Sequence, residues 1–225
     1  MGVSYVPLFT FLIITIFYFY MKPSNTESYL STGLYFTILI IIQSIINIKS
    51  ISDKCDGNLS DNMGMALYST IFPWLFIFGV LILVLTLYPG FKSAFSNVIG
   101  YYLVYSNANN LLATLMKTDA NQDPNISTTL SRIYGDKAIL INKMSPSNFS
   151  EFIKVLGPIM KQPVDLEKIK KLENLVVYKD NVGEFCWYLY TAILVISIVE
   201  YNIASMKCKK SDIQIDKEIE NYNKN

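Results

Sequence analysis

Apolar and polar positions fall into long blocks along this chain. Four apolar stretches run approximately from Val3 to Met21, Gly33 to Ile48, Met65 to Leu87 and Phe185 to Met206. Each is close to the roughly 20 residues that an α-helix needs to cross a hydrocarbon core about 30 Å thick. Lipid offers no partner to backbone N–H and C=O groups, so only self-satisfied helices or closed barrels span it. The pattern predicts an all-α membrane protein: four transmembrane helices, an interfacial helix, and a small, mainly helical soluble lobe between helices three and four.

The first stretch lacks a basic leader and ends at Tyr18, Phe19, Tyr20, Met21 and Lys22 without a small-residue cleavage pattern, so it reads as a retained anchor. After a turn around Pro23, Ser24 and Asn25, the second stretch carries Gln43 and Asn47 at i, i+4, which stacks two amides on one helical face. Amides in hydrocarbon seek partners on neighbouring helices. A polar loop is expected from Lys49 to about Gly64, holding Cys55. The third stretch has Pro73 and Trp74 near its start, with Trp74 expected in the interior, and stops at Pro89-Gly90.

Residues Ser93 to Met116 carry no charge, but Asn97, Asn107, Asn109 and Asn110 make them polar for a fifth span. Tyr101, Tyr102 and Tyr105, with the leucines around them, fit a helix lying in the membrane interface. Lys117 to Gly183 reads as the lobe. Within it, Ser127 to Tyr134 is expected as a short helix, Ala138 to Ile141 as a short strand or turn, and Ser147 to Lys161 as a helix weakened by Gly157-Pro158. A further helix opens at Asp165 as N-cap, with Leu166, Ile169, Leu172 and Leu175 forming a stripe for packing against a partner. The divisions are 1–64 for the first two spans, 65–116 for the third span plus the interfacial segment, 117–183 for the lobe, 184–206 for the fourth span and 207–225 for a charged tail.

Composition narrows the chemistry. With 52% apolar residues in 225, the spans leave room for one small folded lobe. A net charge of +1 argues against a nucleic-acid protein, which needs a concentrated basic face. Histidine is absent, which removes the commonest general base near neutral pH and the commonest zinc ligand. No catalytic, cofactor-binding or metal-binding set can be assembled, so the expectation is a protein that is not an enzyme and carries no cofactor. Lysines near the span ends tilt only slightly toward a cytosolic tail.

Four crossings place Cys55 and Cys208 on the same side of the bilayer and Cys186 at the far end of the fourth span. A bridge between Cys55 and Cys208 is geometrically allowed; the alternative is that all three thiols are ordinary small apolar residues. Glu200 is the only acid within the fourth span. An intramembrane carboxylate is a candidate proton or cation site, although pairing with Lys49 or Lys207 near the interface is the plainer reading.

Two aromatic-rich membrane edges resemble a known group. One is Phe72-Pro73-Trp74-Leu75-Phe76-Ile77-Phe78-Gly79 continuing through Tyr88-Pro89-Gly90-Phe91-Lys92 to Tyr101; the other runs from Trp187-Tyr188-Leu189 through Glu200-Tyr201-Asn202 to Cys208-Lys209-Lys210-Ser211. They look like the multi-span virion membrane proteins, associated with minor capsid proteins, of nucleocytoplasmic large DNA viruses. That resemblance implies a structural component of the virion inner membrane, reached through host endomembrane during assembly, with the bilayer and capsid or minor capsid proteins as partners and self-association left open. It also implies viral thiol oxidation, by which a Cys55 to Cys208 bridge forms even on a cytosolic face. The second reading is an ion channel or small transporter with Gln43, Asn47, Asn202 and Glu200 along a polar path.

Overall fold

The computed structural model describes residues 5–22, 29–55, 59–117, 136–208 and 219. In chain order its helices are α1 (Val6–Met21), α2 (Tyr29–Lys54), α3 (Leu59–Pro73), a π-helical stretch (Trp74–Gly79), α4 (Val80–Leu87), a 3-10 turn (Pro89–Lys92), α5 (Ser93–Phe95), a second π stretch (Ser96–Gly100), α6 (Tyr101–Leu115), a 3-10 helix (Lys137–Asn142), α7 (Phe149–Leu156), a 3-10 turn (Gly157–Ile159) and α8 (Leu166–Ser205). Among the described residues there is no strand, and the one β-type pairing is an isolated antiparallel bridge between Met116 and Met160.

Three helical runs are long and apolar enough to cross a bilayer: Tyr29–Lys54, Asn62–Leu87 and Leu166–Ser205. They are compatible with an integral membrane protein. Val6–Met21 is apolar but has 16 residues, a rise of about 24 Å.

Several expectations are corrected. The loop from Lys49 to Gly64 is helical over most of its length, because α2 runs to Lys54 and α3 begins at Leu59. Polar residues end a greasy surface without ending a helix, and Ile51 keeps the buried stripe going for another turn. Ala138 to Ile141, expected as a short strand or turn, lies within the 3-10 helix. The helix expected over Ser147 to Lys161 is α7 alone, closed by the 3-10 turn where Pro158 cannot donate. The helix expected over Ser127 to Tyr134 lies outside the described residues.

The largest difference is α8, which joins the last lobe helix and the fourth apolar stretch into 40 continuous residues. At about 60 Å it is twice a hydrocarbon thickness. Its first half carries Glu167, Lys168, Lys170, Lys171, Glu173, Lys179, Asp180 and Glu184; only the half from Phe185 onward is free enough of charge to sit in lipid. Gly183 was expected to mark a boundary. One interior glycine costs only about 1 kcal/mol relative to alanine, too little to stop a helix packed on both sides of it.

The chain divides into two compact units: Met1–Met21, Ser28–Val84 and Tyr188–Asn225 form the first, and Lys22–Glu27 with Leu85–Trp187 the second. In the first unit each helix contributes a buried stripe at steps of three or four: Pro7, Phe11, Thr15 and Tyr18 from α1; Tyr35, Leu39, Gln43, Asn47 and Ile51 from α2; Ala66, Thr70, Trp74 and Phe78 from α3 and its π stretch; Tyr188, Ala192, Val195, Val199 and Ile203 from α8. That spacing forms the i±4 ridges by which helices interlock. Aromatic rings fill the centre, with Phe78 and Tyr188 5.2 Å apart and Tyr18 stacked on Tyr35 at 4.3 Å. Such pairs contribute roughly 0.5–1.5 kcal/mol each beyond burial.

The second unit has its own apolar core. Val104, Ala108, Leu112 and Leu115 of α6 pack with Ala138, Ile141, Met144, Phe149 and, from α8, Leu172 and Val176. The segment expected at the membrane interface therefore shares a compact unit with the lobe, and one face of it is spent on that core.

Candidate functional site

Three polar constellations stand out against this apolar frame. The first lies inside the first unit. Gln43 Nε2 donates to the Pro7 carbonyl at 2.9 Å, and Asn47 Nδ2 donates to Thr70 Oγ1 at 3.1 Å, which itself donates to the Ala66 carbonyl at 2.9 Å. The Pro7 bond ties α1 to α2 and the Thr70 bond ties α2 to α3, as amides in an apolar bundle are expected to do. Pro7, Gln43, Asn47, Trp74, Ile196, Val199 and Glu200 line a narrow cleft too tight for a water molecule. Gln43 Oε1, Trp74 Nε1 and Glu200 Oε1 are buried without a hydrogen-bond partner. Asn202 is not among the lining residues.

Among the described residues Glu200 makes no ion pair. Lys54, two α2 turns beyond Asn47, donates instead to the carbonyl oxygens of Ile203, Ala204 and Met206 at 2.6, 2.7 and 2.9 Å. Those carbonyls end α8 and have no partner within the helix, so a cation placed there both satisfies them and meets the negative end of the helix dipole. Cys55 follows Lys54 and is disulfide-bonded to Cys208, with a Cα–Cα distance of 5.5 Å. Cys186 is free and partly buried.

The third constellation, in the second unit, was not anticipated. Glu184 is buried with only 5% of its side chain exposed and accepts from Lys22 Nζ at 2.9 Å through both oxygens; Lys92 Nζ lies 2.8 Å from Glu184 and 3.3 Å from Asp180. Two cations and two anions thus close on one another where apolar runs end. Burial works to raise the Glu184 carboxyl, but the ammonium groups of Lys22 and Lys92 overrule it and hold it below the usual carboxylate range. At Asp180 burial wins and keeps the carboxyl above that range despite Lys92. Next to it Lys179 donates to Asn97 Oδ1 and to the carbonyls of Ile141 and Met144, at 3.0, 2.8 and 3.1 Å, and burial pushes its ammonium down to about 8.

The cluster sits where two helices approach to backbone contact. A Cβ at Gly183 would stand 2.7 Å from the Lys92 carbonyl oxygen and 2.7 Å from Ser96 Cβ, and a Cβ at Gly100 would stand 2.5 Å from the Lys179 carbonyl oxygen. Small residues on both helices are what such an approach requires. The sequence signal was Asp180 and Glu184 at i, i+4 beside a glycine; only the fold names Lys22 and Lys92 as their partners.

The remaining candidates are placed as follows. Tyr102 is 81% exposed, Tyr105 is half exposed, and Tyr101 turns partly into the second unit's core. Of the stripe expected to meet a partner, Leu172 is fully buried, Ile169 and Leu175 pack on the unit's own core, and only Leu166 is exposed. All of the stripe but Leu166 is engaged within the chain. Asp165 caps α8, accepting at Oδ1 from the backbone N–H groups of Glu167 and Lys168 at 3.1 Å each. Among the described residues no three His, Cys, Asp or Glu side chains are grouped so as to hold a metal ion. Comparison with protein-family models, curated proteins and solved structures gives no match.

Proposed function

We propose that this protein is a structural membrane component of a large DNA virus particle, of the kind its aromatic membrane edges resemble. It anchors the inner bilayer and contacts capsid or minor capsid proteins without catalytic turnover. In this reading α1, α2, the α3–α4 run and the second half of α8 cross the membrane, and α6 lies along its surface. The observation that carries the anchoring role is the outward face of the helices. Phe9, Ile13, Ile16 and Phe17 on α1 and Leu30, Leu34, Ile38, Ile41 and Ile45 on α2 are all exposed, a greasy surface far larger than a dissolved protein presents to water.

Support for a mechanical role comes from where the polar groups are spent. Gln43 and Asn47 bond neighbouring helices, Lys54 caps α8, and Lys22, Lys92, Asp180 and Glu184 pair with one another. Val98 on the second π stretch and Tyr102 and Tyr105 on α6 follow at i, i+4, i+7 and are exposed, a stripe suited to the headgroup zone. The transport reading uses Gln43, Asn47 and Glu200, which share one cleft, and Asn202, which does not line it.

The test is chemical cross-linking with mass spectrometry on purified particles. Cross-links from lysines of the second unit, such as Lys168 or Lys171, to a capsid or minor capsid protein are expected. Absence of the protein from particles, or ion flux in liposomes that is lost in Glu200→Gln, would overturn the proposal.

A further inference from the structure

The cleft in the first unit contains an imbalance that a single proton corrects. Its unpartnered polar atoms are one donor, Trp74 Nε1, and two acceptors, Gln43 Oε1 and Glu200 Oε1. Trp74 and Gln43 are fully buried, so water outside the bundle does not reach them. An unpaired buried polar group is costly, and an ionised one more so. The empty space is drawn out thinly, nowhere wide enough for a water molecule. A bare metal cation fits no better, since it needs several oxygen ligands and faces the positive end of the indole N–H.

Among the described residues no other ionisable side chain lines the cleft. On the neighbouring helix α2, Lys49 and Asp53 are exposed and Lys54 is committed to the three carbonyls at the end of α8. Beyond Glu200 on α8, Lys207 is exposed. Among the described residues Glu200 therefore has no cation to balance its charge.

We infer that Glu200 is a proton-binding site, in which the carboxylic acid donates its O–H toward Gln43 Oε1 and receives the Trp74 indole N–H on its carbonyl oxygen. Protonation converts one donor and two acceptors into two donors and two acceptors, a closed set. The O–H bond forms on the Glu200 carboxylate as hydronium from the aqueous side becomes water, and nothing is oxidised or reduced. The Gln43 amide is oriented for this role because its Nε2 is already engaged by the Pro7 carbonyl, which turns Oε1 to the cleft.

Infrared absorption of the protein in liposomes tests it, read as wild type minus Glu200→Gln at neutral pH, with the Cys55–Cys208 bridge as the check that the variant has assembled. A protonated-carboxyl C=O stretch in the difference spectrum is expected. A difference showing only the carboxylate stretches overturns the proposal. Where Glu200→Gln does not assemble, Gln43→Leu serves: removal of the acceptor is expected to move the C=O band to higher frequency, and a band that stays in place overturns the assignment. The outcome is independent of particle cross-linking, so the two readings fail separately.

Discussion

Lys54 Nζ lies 2.6 Å from the carbonyl oxygen of Ile203, so the last residue of α2 caps the last turn of α8. Two further carbonyls, of Ala204 and Met206, share the same ammonium. Replacing Lys54 by Met keeps the stem and removes the charge, which is expected to cost about 1 kcal/mol. Thermal unfolding in detergent measures it; an unchanged midpoint would mean that water caps these carbonyls equally well.

The neighbouring disulfide makes the same contact covalent. Alkylation followed by intact mass analysis is expected to modify one cysteine, Cys186, without reductant and all three after reduction in denaturant. The bridge closes 153 residues, and Cys208→Ser is expected to lower stability by about 2–4 kcal/mol. Three modified thiols before reduction would show that the bridge does not form.

How much of this was legible beforehand depends on the range of the interaction concerned. Apolar runs and the Asp165 cap are local, and they were readable. The length of α2 and α3 was not, because Lys49 to Gly64 is polar and rich in Ser, Asp, Asn and Gly, which favour turns over helix in isolation, and hydropathy reports lipid contact instead of helicity. The role of Gly183 was not legible either: only the fold, where a Cβ at this position would stand 2.7 Å from the Lys92 carbonyl oxygen, explains why a glycine is needed in mid-helix. The Lys22, Lys92, Asp180 and Glu184 cluster joins residues up to 162 positions apart, which no window of sequence can pair.

Gly183→Ala is expected to destabilise by about 1–3 kcal/mol, since the added methyl meets backbone that cannot turn aside. Gly33→Ala on α2, where nothing lies within 4 Å, is expected to be neutral or stabilising by about 0.5–1 kcal/mol. Unfolding midpoints of the two variants compared side by side decide it; equal effects would contradict the close helix approach.

Removing one member of the charge cluster strands the others. Glu184→Gln is expected to cost about 3–5 kcal/mol at neutral pH. Because the folded carboxyl holds its proton less readily than the unfolded one, unfolding takes up a proton in acid. Its contribution is therefore full above the ordinary Glu value of about 4.3 and is lost as pH falls through the lowered folded value. The gap between wild type and variant should close in acid; a gap independent of pH would assign the loss to packing alone.

Extraction of membranes with alkaline carbonate separates proteins held in the bilayer, as the exposed apolar faces of α1 and α2 require here, from those attached at its surface. The protein is predicted to stay in the lipid pellet and to be released only by detergent. Its appearance in the supernatant as a dissolved monomer would contradict the account.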